Sequence, residues 1–264
     1  MLHKNISYQN TLISYSVSGK GKAVMLVHGF AEDSSVFDTQ VNFLKGNYLV
    51  LVPDLPGIGK SAMLQKENVQ LTDYAAIIKA IIDEEKIEKI ALFGHSMGGY
   101  ITLAFADLYS QTLSGFGLLH SSAYADDDEK INTRKKAITF IKENGTNAFL
   151  KTAIPNLFYD AHKSQENINN LIEKGNNFPP DVLIQQYNAM IARPDTTSIL
   201  KAFTAPILSL MGEHDKAIPI KHSLQQSHLP QIAYVKILRN AGHMGMLEQS
   251  TEVNNILADF LHSL

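Results

Sequence analysis

The chain contains no cysteine. A disulfide, a thiolate metal site and a cysteine nucleophile are thereby excluded, so any covalent chemistry must use another side chain. Their absence also fits a reducing compartment. Nor is there a run of the roughly 18 apolar residues that a membrane-spanning helix needs. The N-terminus, MLHKNISYQNTLISYSVSGKG, alternates polar and apolar residues and lacks the apolar segment of a secretory signal. A cytoplasmic protein is expected. An excess of positive charge is missing too: 23 Lys and Arg against 26 Asp and Glu leave a net charge of -3. No basic field is available to gather phosphates along a nucleic acid or an anionic membrane. The expected partner is a small molecule, with neither nucleic acid nor membrane; nothing in the sequence specifies an oligomeric state.

What is present is ordinary for a globular protein: 264 residues, 45% hydrophobic and 19% charged, enough for one large core with room for an insertion. Short apolar runs, AVMLVHG (23–29), YLVLVPD (48–54), KIALFGHS (89–96), LSGFGLLH (113–120), APILSLMG (205–212) and YVKILR (234–239), alternate with helical patterns. Near-continuous apolar strands separated by helices imply a mostly parallel sheet covered on both faces. Tyr74, Ile77, Ile78, Ile81 and Ile82 form one apolar helix face, with Thr72 or Asp73 as its expected cap. The segment 6–17 reads as a hairpin at the sheet edge. Between 122 and 203 the strand rhythm stops. Helical stretches such as INTRKKAITFIKENG, punctuated by Gly145, Pro155, Gly175, Pro179, Pro180 and Pro194, predict a helical insertion.

GHSMGG (94–99) stands where a buried strand ends and an apolar helix begins. This is the strand-turn-helix setting of a nucleophile elbow, with Gly94 and Gly98 allowing close approach and Ser96 on the forced turn. A serine hydroxyl is a weak nucleophile, so it needs a histidine base held by a third group. His243, in NAGHMGMLEQ after the last strand, is the candidate base. Asp215, in LSLMGEHDKAIP at the same sheet edge, is the candidate acid, with Glu213 and 126–128 as competitors. GIGKS (57–61) ends like a phosphate-binding loop, but Asp54 stands where that motif needs its first glycine and would repel phosphate. Asp54 is read as a turn residue. His95, His120 and His214 show no paired metal-ligand spacing, so no metal is inferred.

Ser96, Asp215 and His243 follow one another in the serine, acid, histidine order of one scaffold. With HGF (28–30), VPDLPGIGKS, GHSMGG, GEHD and AGHMGMLE in order, the sequence resembles the α/β-hydrolase superfamily over nearly its whole length. The resemblance implies an α/β fold: a mostly parallel eight-stranded sheet flanked by helices, with a helical cap inserted after strand six. It implies a core of 1–121 and 204–264 and a cap of 122–203. It also implies an oxyanion hole made by the backbone N–H groups of Phe30 and Met97, structural roles for His28 and Gly29, and no cofactor. The expected activity is hydrolysis of a small ester or related carbonyl compound through an acyl-enzyme. Carbon–carbon bond hydrolysis, cofactor-free lyase or perhydrolase chemistry on the same scaffold, and a ligand receptor with negligible turnover are the alternatives. Phe149, Leu150, Ile154, Leu157, Phe158 and Met190 are candidates for an apolar substrate pocket, although their helical spacing favours core packing for most of them.

Overall fold

The computed structural model describes residues 1–264. β1 (Leu2–Tyr8) and β2 (Thr11–Ser18) form the expected edge hairpin, and Gln9 and Asn10 turn it with φ of 47° and 63°. β2 runs antiparallel to β4 (Tyr48–Pro53). The remaining pairs are parallel and add β3 (Lys22–Val27), β5 (Ile90–His95), β6 (Leu113–Leu119), β7 (Ile207–Gly212) and β8 (Ala233–Leu238). The eight strands lie in the order β1-β2-β4-β3-β5-β6-β7-β8. β5 and β7 are buried at every residue, as strands with both faces covered should be. β8 departs from the expected continuous burial: Val235, Lys236 and Ile237 are exposed because β8 closes the sheet and has only one neighbour.

From β3 the chain moves to β4 on one side, through α1 (Asp38–Leu44), and from β5 to β6 on the other, through α3 (Met97–Tyr109). Right-handed crossovers in opposite directions put these helices on opposite faces of the sheet. α2 (Leu71–Glu84) packs on α3, and α10 (Ser250–His262) packs on α1. The predicted apolar face of α2 is buried in full. Its cap is not Thr72 or Asp73 but Gln70; Asp73 sits in the first turn and its Oδ2 accepts the Gln70 N–H at 2.8 Å.

No strand lies between β6 and β7. That segment holds α4 (Asp128–Ala153), α5 (Gln165–Gly175), α6 (Pro180–Ile191) and α7 (Thr197–Ala202). Gly145 takes φ 80° and ψ 170° within α4 and kinks it. α8 (Ile220–Ser227) follows β7, and the single turn α9 (Gly245–Glu248) follows β8. No helix is long and apolar enough to cross a membrane.

Candidate active site

The loops after β3, β5, β6, β7 and β8 meet at the carboxyl edge of the sheet, where open α/β sheets place their ligands. Ser96 takes φ 51° and ψ -114°, in the left-handed half of conformational space that side chains avoid. The strained turn is held from several sides. The Ser96 N–H donates to the Leu119 carbonyl at 2.9 Å, and the Ser96 carbonyl accepts the Ser121 hydroxyl at 2.7 Å and the Gly99 N–H at 2.9 Å. A Cβ on Gly94 would strike the Gly98 carbonyl, and one on Gly98 would strike the Val27 carbonyl. Only glycine lets strand, turn and helix approach this closely.

Ser96 and His243 line one cavity of about 640 Å³. His243 Nδ1 donates to Asp215 Oδ2 at 2.8 Å. The other oxygen, Oδ1, accepts the backbone N–H groups of Ala217 at 2.9 Å and Ile218 at 2.8 Å. Burial alone would raise the Asp215 carboxyl. The charge of His243 and the hydrogen bonds from His120 and His243 outweigh it and hold the group well below the usual carboxylate range. Of the competing acids, Glu213 is exposed and Asp126 is bound to Arg134 and Arg193, so neither meets His243. No hydrogen bond joins the Ser96 hydroxyl to His243; such pairs are often long in a substrate-free site and tighten when substrate binds.

Phe30 and Met97 present free amides beside Ser96. The Gly29 N–H donates to Glu32 and the Ala31 N–H to Gln186, but the Phe30 N–H between them has no acceptor. Met97 is the first residue of α3, so its N–H has no carbonyl one turn back. The Phe30 ring stacks on Tyr187 with centroids 4.1 Å apart. His28 is buried, its Nε2 accepting the Leu55 N–H at 3.0 Å and its Nδ1 donating to the Gly29 carbonyl at 2.9 Å, a local scaffold role. Asp54 likewise holds its own turn by accepting from the Ser34 and Lys60 amides. Of the apolar residues proposed for a pocket, Leu157 and Met190 line the cavity; Phe149, Leu150, Ile154 and Phe158 are buried in the core.

Residues 19–250 match the family model described as serine aminopeptidase, S33. The chain belongs to this α/β-hydrolase family. It is 24% identical to 2-hydroxy-6-oxo-6-phenylhexa-2,4-dienoate hydrolase from Comamonas testosteroni, over 95% of this chain and 91% of that one. A malate-bound thermophilic esterase from Thermogutta terrifontis superposes with a TM-score of 0.91 at 25% identity, over 100% of this chain and 99% of that one. The enol-lactonase from Burkholderia xenovorans LB400 gives a TM-score of 0.90 at 19% identity, over 98% and 100%.

Two features of this hydrolase escape the sequence. The first is His120, whose Nδ1 lies 3.3 Å from the same Asp215 Oδ2 that His243 uses. Burial pushes the His120 imidazole down to about 4, against the pull of Asp215, so it is neutral and donates from Nδ1. Its Nε2 has no partner and faces Gly245, where a Cβ would collide with it. The signal available was position: His120 directly follows β6, at φ 50°, just as Ser96 directly follows β5.

The second is Glu32, 3% exposed, whose carboxylate accepts the Gly29 N–H at 2.8 Å and His95 Nδ1 at 2.9 Å. His95 Nε2 faces the His243 carbonyl at 2.9 Å. With Glu32 ionised, both ring nitrogens meet groups that only accept, which favours the doubly protonated imidazolium. Consistently, burial would lower His95, but the Glu32 charge and hydrogen bond outweigh it and raise it. Burial would raise Glu32, but His95 and the Gly29 N–H outweigh that and lower it.

The loop that carries His243 is also tied to the helical segment. The His243 N–H donates to the Leu157 carbonyl at 2.7 Å, and the Glu248 carboxylate accepts the N–H groups of Gly242 at 2.8 Å and Tyr159 at 2.7 Å.

Proposed function

We propose that this α/β-hydrolase is a serine hydrolase cleaving a small ester or related carbonyl substrate, a carboxylic ester hydrolase. Ser96 attacks the carbonyl, and His243 takes its proton and then activates water on the acyl-enzyme. Asp215 orients His243 and stabilises its charged form. The N–H groups of Phe30 and Met97 stabilise the developing oxyanion. The segment 122–203 caps the site and supplies part of its wall. The observation that carries this reading is Ser96 held at φ 51° on a glycine-flanked turn, opening on the same cavity as a histidine bonded to a buried carboxylate.

Carbon–carbon bond hydrolysis is the second reading, favoured by the dienoate hydrolase relative and by two oxononadienedioate hydrolase relatives at 25% and 26% identity. Purified protein assayed on short and long acyl esters beside a vinylogous diketone panel separates the two. A fluorophosphonate probe should label wild type and not Ser96→Ala. Labelling that persists in Ser96→Ala would move the nucleophile elsewhere, and tight binding without turnover would make the protein a receptor.

A further inference from the structure

Lys and Arg match Asp and Glu in number around the cavity, but its buried wall carries more positive than negative charge. Asp126, its side chain fully buried, accepts from Arg134 Nε at 2.6 Å and from Arg193 Nη2 at 2.9 Å. Arg193 is otherwise held by the Met190 and Tyr124 carbonyls, and its guanidinium lies 3.9 Å from the Tyr100 ring centroid. Lys130 makes one hydrogen bond, to the Ala217 carbonyl. Arg134, Arg193 and Lys130 therefore set three positive charges against the single negative charge of Asp126. Asp127 and Glu129, on the same wall, are exposed and screened by water, as is Lys216. The Glu32–His95 pair is internally neutral.

Two groups in this wall have bonding capacity left over. Arg134 uses Nε and Nη2 on Asp126, and its Nη1 bonds to nothing. Tyr100 is 3% exposed, lines the cavity, and its hydroxyl has no partner. Tyr100 lies in the first turn of α3, four residues beyond Ser96, and both line the same cavity. The phenol senses the surrounding charge: burial would raise it, yet Arg193, Lys130 and Arg134 together lower it. A buried excess of charge is costly unless a counter-ion meets it. A free arginine N–H edge and a phenolic O–H lining one cavity suit a planar carboxylate.

We propose that the substrate of this site carries a carboxylate, seated on Arg134 Nη1 and the Tyr100 hydroxyl within a few bonds of the carbonyl that Ser96 attacks. The proposal rests on the hydrolase reading given above. It makes Arg134 and Tyr100 specificity-determining residues and the enzyme selective for half-esters of diacids, or for esters whose alcohol portion is an acid.

The test compares charged and uncharged substrates of matched shape. p-Nitrophenyl hemisuccinate is paired with p-nitrophenyl 4-methylpentanoate, and 4-acetoxybenzoate with p-tolyl acetate, the spontaneous hydrolysis of each being subtracted. In at least one pair the carboxylate member should lead by roughly tenfold or more in kcat/KM, mostly through KM. Arg134→Gln should bring that ratio towards one; Tyr100→Phe, which leaves the Asp126 ion pairs in place, should lower it several-fold. Neutral members hydrolysed as well as charged ones, or a ratio untouched in both folded variants, would overturn the proposal and leave the hydrolase reading standing. If no ester is cleaved and Ser96 is not labelled, the hydrolase reading fails instead. Calorimetric titration with succinate then decides the carboxylate site: binding lost in Arg134→Gln upholds it, and no binding to wild type removes it.

Discussion

Removing the Glu32 carboxylate tests the buried ion pair behind the active site, because two replacements of one residue have different consequences. In Glu32→Ala the Gly29 N–H loses its acceptor, and the fully buried His95 Nδ1 loses its partner. An orphaned buried donor costs about 1–3 kcal/mol, and breaking a buried charge pair from one side costs about 3–5 kcal/mol. Some of that is recovered when His95 becomes neutral, so about 3–5 kcal/mol is the expected net loss. Glu32→Gln keeps the shape. Its amide oxygen accepts from Gly29 and its NH₂ donates to a neutral His95 Nδ1, while His95 Nε2–H still holds the His243 carbonyl. The loss should be under about 2 kcal/mol.

The pH dependence follows from the two shifts. Glu32 is lowered on folding, so its contribution is present above its ordinary value of 4.5 and is lost as pH falls through the folded value. His95 is raised, so its contribution is present below 6.5 and is lost as pH rises through the folded value. Wild type should exceed Glu32→Gln by most between those two pH values, with the gap closing on both sides. Urea unfolding of the three proteins across pH 4 to 9 measures this. Equal losses for alanine and glutamine, or a gap that does not vary with pH, would refute the assignment of a charged pair.

Asp215→Asn should fold and lose roughly 10³ to 10⁴ in turnover, because an amide cannot hold His243 in the required tautomer; Glu213→Gln, on an exposed side chain, should stay near wild type in the same ester assay. Phe30→Pro deletes a proposed oxyanion donor that Phe30→Ala keeps, so the proline variant, checked by circular dichroism and thermal melt, should lose roughly 10² more in turnover. Similar losses in both would point to the ring stacked on Tyr187 rather than the N–H. His120 is buried and neutral with its value lowered from 6.5 to about 4. The unfolded chain therefore takes up the proton first, and stability falls as pH drops through this range, by about 3 kcal/mol at about 1.4 per unit. His120→Asn, which tolerates the left-handed backbone and keeps a donor for Asp215, should lose that part of the acid sensitivity in denaturant titrations.

The parts legible in sequence are those written in local pattern. Continuous apolar runs mark β3 to β7 because both faces of each are covered, and the glycines of GHSMGG mark a turn where no side chain fits. β8 has as strong a strand pattern, but an edge position depends on the order of strands, which no single strand encodes. Gln70 was missed as a cap because it is not a typical capping side chain; the reciprocal bond from Asp73 is what places it. Glu32 meets a residue 63 positions away, and His120 one 95 away. Only the topology that brings the ends of β3, β5, β6 and β7 together reveals either.

The bonds from Leu157 and Tyr159 to the base loop constrain how a substrate can get in. If 122–203 swung away as a rigid lid, it would tear the Leu157 carbonyl from His243 and Tyr159 from Glu248. The His243 loop would lose both bonds at the moment of entry. Admission that spares these bonds is confined to motion elsewhere in the helical segment. An anchor of this kind keeps the His243 loop in place whatever the rest of the segment does.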